Sequence, residues 1–276
     1  EAMLSYGHRW GDFSWDSSFT FSANKNEIVE LVKDYVHPET GKTYNVDKLE
    51  LKTDEGRGFG KAKFILKEGG TLGDLYTHAD LKRDINGNIL IDDSGNVTAI
   101  DNAGDIKLGS VLPKANLAWN NSFSYKGINA GFLLTARLGG IVYSATQAYL
   151  DLYGVSETSA AARDAGGVWV NGRSRVNPQS FYEVVASQSG LPTYYTYSAT
   201  NLRLQEAHIG YTIPRRWLGN VCDINVSLVG RNLWMIYCKA PFDPEAVATT
   251  NNYYQGIDYF MMPSTRNIGF NIKINF

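Results

Sequence analysis

The stretch DINGNILIDDSGN, Asp84 to Asn96, crowds carboxylate and amide oxygens, the ligands a calcium ion takes. Its Gly87 is misplaced for an EF-hand loop. Two Asn-Gly or Ser-Gly turns, a small hairpin within a long loop, account for the composition, with a calcium loop as the alternative. GRGFGK (Gly56–Lys61) resembles a phosphate loop, but its spacing fits neither G-x-G-x-x-G nor G-x-x-x-x-G-K-[ST], and it reads as the entry to a strand. His8, His37, His78 and His208 show no metal spacing, and Asp92 and Asp93 read as solvated turn residues. There is no G-x-S-x-G elbow, and Cys222 has no evident partner base. These residues lead to the expectation of a protein that is not an enzyme and holds no metal or cofactor.

One cluster suits binding. GLPTYYTYSATN (Gly190–Asn201) concentrates Tyr194, Tyr195 and Tyr197 in a loop. Aromatic faces of this kind stack on sugars or hold peptide side chains; a membrane-interface girdle or plain loop packing is the other reading, and both stay open.

The elements around these residues alternate with period two. The chain ends in RNIGFNIKINF, where Ile268, Phe270, Ile272, Ile274 and Phe276 share one strand face and Asn267, Gly269, Asn271, Lys273 and Asn275 the other. FSWDSSFTF sets Phe13, Trp15, Phe19 and Phe21 against Ser14, Asp16, Ser18 and Thr20. NLAWNNSFSY sets Leu117, Trp119, Phe123 and Tyr125 against Asn116, Asn120, Ser122 and Ser124. INAGFLLTARL, AHIGYTI and CDINVSLVG follow the same rule, with Arg137 and Asp223 on polar faces. GFGKAKFIL (Gly58–Leu66) alternates more weakly. Leu202 and Leu204 fall out of phase with Ile209, Tyr211 and Ile213, which predicts a β-bulge near Gln205. Asn26–Val36 is the best helix candidate, although its Val and Ile residues weaken it. The glycosylation sequons NNS and NVS fall on predicted strands and are discounted.

Composition agrees with such strands. Lys+Arg 26 against Asp+Glu 28, with no basic block, argues against nucleic acid as a partner. No apolar run reaches the ~18 residues of a membrane helix, but that test is blind to membrane β-barrels, whose strands average to neutral hydropathy. Cys222 and Cys238, on or beside one extended strand, lie too far apart to bridge and read as two buried, inert thiols.

The links sort by length. Trp10–Phe13, Lys126–Asn129 and Pro214–Asn220 are short; Gly69–Pro113, Ser144–Asn201 and Tyr237–Ser264 are long and rich in Gly, Asn, Asp and Tyr. An outer-membrane barrel has short periplasmic turns and long outer loops, and lipid then covers the apolar face of the last strand. The expected fold is all-β: an antiparallel transmembrane β-barrel segment spanning residues 1–276, with about eight strands near 1–11, 13–24, 57–68, 114–126, 127–143, 201–213, 221–236 and 264–276. Eight strands close around a side-chain-filled interior, too narrow for this polar inner face. The sheet is therefore expected to stay open.

Motifs in the last eighty residues carry a family likeness. NLRLQEAHIGYTIPRRWL (Asn201–Leu218), VSLVGRNLWMIYCKAPFDPE (Val226–Glu245) and QGIDYFMMPSTRNIGFNIKINF (Gln255–Phe276) resemble, in order, the L-R-L…L-G-Y-T-L-P strand, the G-x-N-L strand with its D-P-E loop, and the terminal strand of SusC/RagA-type TonB-dependent outer-membrane transporters. LPKANLAWNNSFSYKGINAGFLL (Leu112–Leu134) and WDSSFTFSANKNEIVEL (Trp15–Leu31) fit at the expected distances.

The resemblance implies the last third of a roughly 22-stranded barrel in the outer membrane of a Gram-negative bacterium, its plug and earlier strands lying outside this chain. It also implies import of nutrient oligomers, either oligosaccharide or oligopeptide, driven by the TonB complex. A SusD-like surface lipoprotein would be the partner, with lipid and lipopolysaccharide around the wall. Lumen and loop residues, including Tyr194, Tyr195, Tyr197, Arg137 and Asp223, would guide substrate. Phe270, Ile272, Ile274 and Phe276 would act as the C-terminal assembly signal. The competing readings are a soluble carbohydrate-binding β-sandwich and a secreted glycoside hydrolase module.

Overall fold

In a computed structural model, which describes residues 1–51, 61–248 and 255–275, seven long strands form one antiparallel sheet. In chain order they are β1 (Ala2–Trp10), β2 (Phe13–Ala23), β3 (Ala115–Tyr125), β4 (Ile128–Leu138), β5 (Asn201–Ile213), β6 (Asp223–Cys238) and β7 (Asn267–Asn275). Each pairs with its sequence neighbour, so the order across the sheet is the chain order. Strands of this length suit a bilayer crossed at a tilt, for which about 9–11 residues are needed. At one end the turns are tight: Trp10 faces Phe13, and Lys126 and Gly127 both take positive φ (47° and 89°), the type I′ geometry of a two-residue hairpin. At the other end the links 24–114, 139–200 and 239–266 build a second layer.

The sheet does not close. Among the described residues β1 pairs only with β2 and β7 only with β6, which leaves both as edges.

Register puts the expected apolar residues on one face. Trp15 lies opposite Phe123, Phe19 opposite Trp119, Leu228 opposite Ile209 and Phe270, and Val226 opposite Ile272. Asp16, Asn120, Arg137, Asn225, Asn271 and Lys273 fall on the other face. No residue of the seven strands belongs to the buried hydrophobic cluster. Phe270 is 78% exposed and Ile272 55%. An apolar face this large and uncovered is unstable in water, so it is the lipid face of a membrane barrel wall. Polar side chains on that face are tied down by indoles: Trp119 Nε1 donates to Ser17 Oγ (3.0 Å) and Trp15 Nε1 to Asn121 Oδ1 (3.0 Å). Leu228→Arg is expected to destabilise the folded barrel by about 2–4 kcal/mol. The adjacent Ser227→Arg, on the polar face, should change it little, as read by denaturant titration in lipid vesicles.

The hydrophobic core lies wholly in the loop layer, where Phe64, Leu75, Tyr143, Val185, Leu191 and Ile257 are buried together. All three long links contribute. Ala62–Lys67 pairs with Asp74–Thr77 and Lys48–Glu50, while Ile141–Ser144 lies between Thr196–Ser198 and Ile257–Asp258. Thr193 Oγ1 bonds Asp80 Oδ1 (3.0 Å) and Ser144 Oγ bonds Asp258 Oδ2 (2.5 Å), joining one link to the next.

Several sequence expectations are corrected here. The strand expected near 57–68 is not in the wall. Within it Ala62–Lys67 is a cap strand whose Ala62, Phe64 and Ile65 are buried in protein, so the wall has seven strands among the described residues and the first long link runs from 24 to 114. The wall strand expected over 127–143 stops at Leu138, and Ile141–Ser144 turns away into the cap. Asn26–Val36 is not helical; Val32–Val36 pairs with Thr43–Val46, as its β-branched residues favour. Cys222 and Cys238 are free but only partly buried. The GRGFGK stretch, apart from Lys61, and Phe276 lie outside the described residues.

The 84–96 stretch does fold as two turns. Asp84 Oδ1 accepts from the Asn86 and Asn88 amides, and Asp92 Oδ1 from those of Ser94 and Asn96. The carboxylates serve the backbone, as Asx turns do.

Candidate functional site

Where the polar face of the wall meets the cap, β5 departs from a regular strand. Leu133 of β4 faces Glu206 and the next residue, Leu134, faces Leu204, which leaves Gln205 as an extra residue. This is the bulge the phase change predicts. In a straight strand Leu204 would join Glu206 on the polar face and Arg203 would enter lipid. The bulge restores the phase, so Leu202 and Leu204 face lipid and Asn201 and Arg203 face inward.

Arg203 is thereby placed to hold the 239–266 link. Its Nη2 lies 2.7 Å from Asp243 Oδ1 and its Nη1 3.2 Å from Asp243 Oδ2, a forked pair, while Glu245 Oε2 lies 3.1 Å from Nη2. The Arg203 side chain is only 5% exposed. Asn201 Nδ2 donates to Glu245 Oε1 (3.2 Å), and Ser264 Oγ donates to Asp243. Burial alone would raise the Asp243 pKa; hydrogen bonds from Arg203 and Ser264 outweigh it and hold the carboxyl below the usual aspartate value. The D-P-E motif is therefore a latch that closes on the wall.

Beside the latch a cleft of about 730 Å³ is lined by Thr20, Asn116, Thr135, Arg137, Gln205 and Glu245. Arg137 Nη2 donates to Val111 O (2.8 Å), while its Nε is buried without a partner among the described residues. Met3, Phe21 and Leu117 line it as well, so the cleft sets one fixed cation and one carboxylate in mostly apolar walls.

The three tyrosines lie in the cap. α1 (Ala145–Leu152), α2 (Glu157–Asp164), α3 (Pro178–Val185) and the single turn α4 (Pro192–Tyr195) surround them. Start signals for the first three are present in the chain: Ser144 and Ser156 cap α1 and α2, and Asn177 caps α3 just before Pro178. Tyr194, Tyr195 and Tyr197 line one pocket of about 300 Å³, with Tyr182, Trp169 and Asp151. Their roles differ. The Tyr195 ring is a core element at 2% exposed, Tyr194 packs edge-on to Phe181, and Tyr197 packs edge-on to Phe242.

Asp223 is not part of this group. It lies at the turn end of β6, where its Oδ1 accepts from the Arg215 amide (2.9 Å) and its Oδ2 pairs with Arg215 Nε (3.3 Å). The structure thus brings Arg137 to the wall–cap junction and the tyrosines to the cap, and leaves Asp223 at the far rim. Arg203, Asp243 and Glu245 are visible in the sequence as motif residues, but their pairing across 40 positions is not.

An open antiparallel wall with a lipid face, a polar face and a latched cap defines a segment of a large transmembrane β-barrel. Comparison with known proteins agrees. No protein-family model matches the chain. TonB-dependent receptor P3 of Formosa agariphila is 25% identical over 289 aligned residues, covering 95% of this chain and 27% of that protein. TonB-dependent receptor P26 of the same organism is 25% identical, covering 97% of the chain and 28% of its own length. Among solved structures, the RagAB peptide transporter superposes with a TM-score of 0.66 at 17% identity, covering 99% of this chain and 28% of that one. The RagAB peptide importer in its "closed-closed" state gives 0.64 at 16%, covering 99% and 29%. The chain spans a little over a quarter of the length of the relatives it matches. It is similar to TonB-dependent receptors along nearly its whole length, as its motifs implied, and its fold is that of part of a SusC/RagA-type barrel.

Proposed function

We propose that this chain is the C-terminal part of the wall and outer loops of an outer-membrane importer for nutrient oligomers, glycans or peptides, and is not an enzyme. The observation that carries this reading is the pairing of a bare apolar face with a polar face capped at one end by packed loops. A soluble sandwich would bury the apolar face against a second sheet. In the proposed orientation the cap is extracellular, the tight turns are periplasmic, and the edges β1 and β7 join further wall strands and a plug in the whole protein. Import is driven by the TonB complex, and a SusD-like lipoprotein closes over the cap. Lipid and lipopolysaccharide surround the wall. Arg137 and the polar face guide substrate, with Tyr194 and Tyr197 presented from the cap. Phe270, Ile272 and Ile274, on the lipid face of β7, form the assembly signal with Phe276.

One whole-cell experiment tests orientation and signal together. With the free Cys222 and Cys238 replaced by serine, single cysteines are placed in the full-length transporter at Trp169 in the cap and at Trp217 in the 214–222 turn, and cells are treated with a membrane-impermeant maleimide. Labelling at Trp169→Cys and protection at Trp217→Cys are expected; the reverse pattern would refute the orientation. Adding Phe276→Ala is expected to lower the amount of folded, labelled protein, and an unchanged amount would remove the assembly role.

A further inference from the structure

The pocket between α1, α3, α4 and the strand Val168–Val170 contains a charge that the protein does not balance. Asp151, near the end of α1, is 4% exposed. Its Oδ1 accepts from Gln147 Nε2 (3.0 Å) and from Ser156 Oγ. Among the described residues the only further polar group beside the carboxylate is the Tyr195 hydroxyl, and no Lys, Arg or His forms an ion pair with Asp151. The nearby Arg163 is bound to Gly154 O (2.8 Å), and Arg175 lies on the Trp169 ring, 4.5 Å from its centroid. A buried carboxylate without a cation is costly to maintain.

The walls of the pocket are suited to supply what is missing. Tyr182, Tyr194, Tyr195 and Tyr197 line it together with Trp169 and Phe181. Tyr195 Oη is buried beside the Asp151 carboxylate, close enough to feel it but without a well-formed hydrogen bond. Burial first, and then the Asp151 carboxylate, raise the hydroxyl pKa values of Tyr182, Tyr195 and Tyr197, so these hydroxyls are neutral. Aromatic rings around a cation attract it through their electron-rich faces.

We infer that this pocket binds a primary ammonium group on a compact carrier. The ammonium N–H groups would reach Asp151 Oδ2 and Tyr195 Oη while the tyrosine and tryptophan rings surround the charge. A neutral sugar ring would occupy the aromatic walls and the Tyr195 hydroxyl but leave Asp151 unbalanced. At about 300 Å³ the pocket takes one such group, as a lysine side chain or an amino sugar presents it. This holds whether or not the barrel imports oligomers, because it concerns binding alone.

The test uses the full-length transporter in detergent and isothermal titration calorimetry, with no transport step. The probes are Nα-acetyl-lysine methylamide and methyl glucosaminide, each beside its N-acetylated counterpart. At least one ammonium probe is expected to bind and to lose about tenfold or more in affinity when its nitrogen is acetylated, and which probe binds identifies the carrier. Asp151→Asn, which preserves size, is expected to cause a comparable loss, and Tyr195→Phe a smaller one. Absence of binding by both ammonium probes, or equal binding of the acetylated forms, would overturn the inference. If Asp151→Asn fails to fold, the acetylation comparison on the unaltered protein decides.

Discussion

Replacing Arg203 by methionine in the full-length protein is expected to destabilise the closed wall–cap junction by about 3–5 kcal/mol, the cost of leaving a buried charge without its partner. The guanidinium is nearly inaccessible and answers both Asp243 and Glu245, so its loss leaves two carboxylates facing each other beside the wall. The expected readout is faster protease cleavage within 239–266 and a lower temperature for loss of the folded band on gels. The double variant Arg203→Met/Asp243→Leu removes both main charges and should recover part of the loss; a double variant worse than the single would refute the latch. The pair also sets an acid limit. Asp243 has a folded pKa below its unfolded value, so its stabilising contribution is complete above the ordinary aspartate pKa. It is lost only as pH falls through that range towards the lower folded value. The 239–266 link should therefore resist protease at neutral pH and become susceptible under strong acid. Asp243→Asn should remove that pH step.

A larger effect is expected from adding one residue. An alanine inserted between Arg203 and Leu204 shifts residues 201–203 by one position, and because side chains alternate this exchanges their faces. Arg203 would then point into lipid, at about 2–4 kcal/mol at mid-bilayer depth and less towards the interface, and the latch would be lost as well. Deleting Gln205 is the control. It removes the bulge itself, so Leu204 and Glu206 become adjacent on opposite faces, the arrangement they already hold against β4. The insertion should abolish recovery of folded protein from the outer membrane, while the deletion should retain much of it. Equal recovery of the two would show that the bulge does not set the facing of Arg203.

The wall was legible because lipid imposes a rule that each strand obeys separately. Every residue from Ile268 to Ile274 can be assigned a face from its parity alone, and a single parity error at Leu202 and Leu204 located the bulge. The same rule misled at Gly58–Leu66, where alternation reports a half-buried strand without saying whether protein or lipid covers it. A strand count would have exposed the error: an eighth crossing there would send the tight Trp10–Phe13 turn to the end of the long links, and the link after Ala23 to the end of the other short turns. The cap was less legible because its short helices are fixed by caps such as Ser156 and by contacts among three distant links. The Arg203–Asp243 pair is a matter of tertiary geometry, and residue types and local spacing do not encode it.

The absence of any wall residue from the buried cluster means that the two layers answer to temperature differently. The cap is held by apolar groups withdrawn from water, so its unfolding carries a positive heat-capacity change and its stability passes through a maximum before weakening on cooling. The apolar band of the wall is solvated by hydrocarbon, and the dependence of water structure on temperature has far less hold on it. The cap is thus the layer that loosens in the cold, while the sheet beneath it stays set.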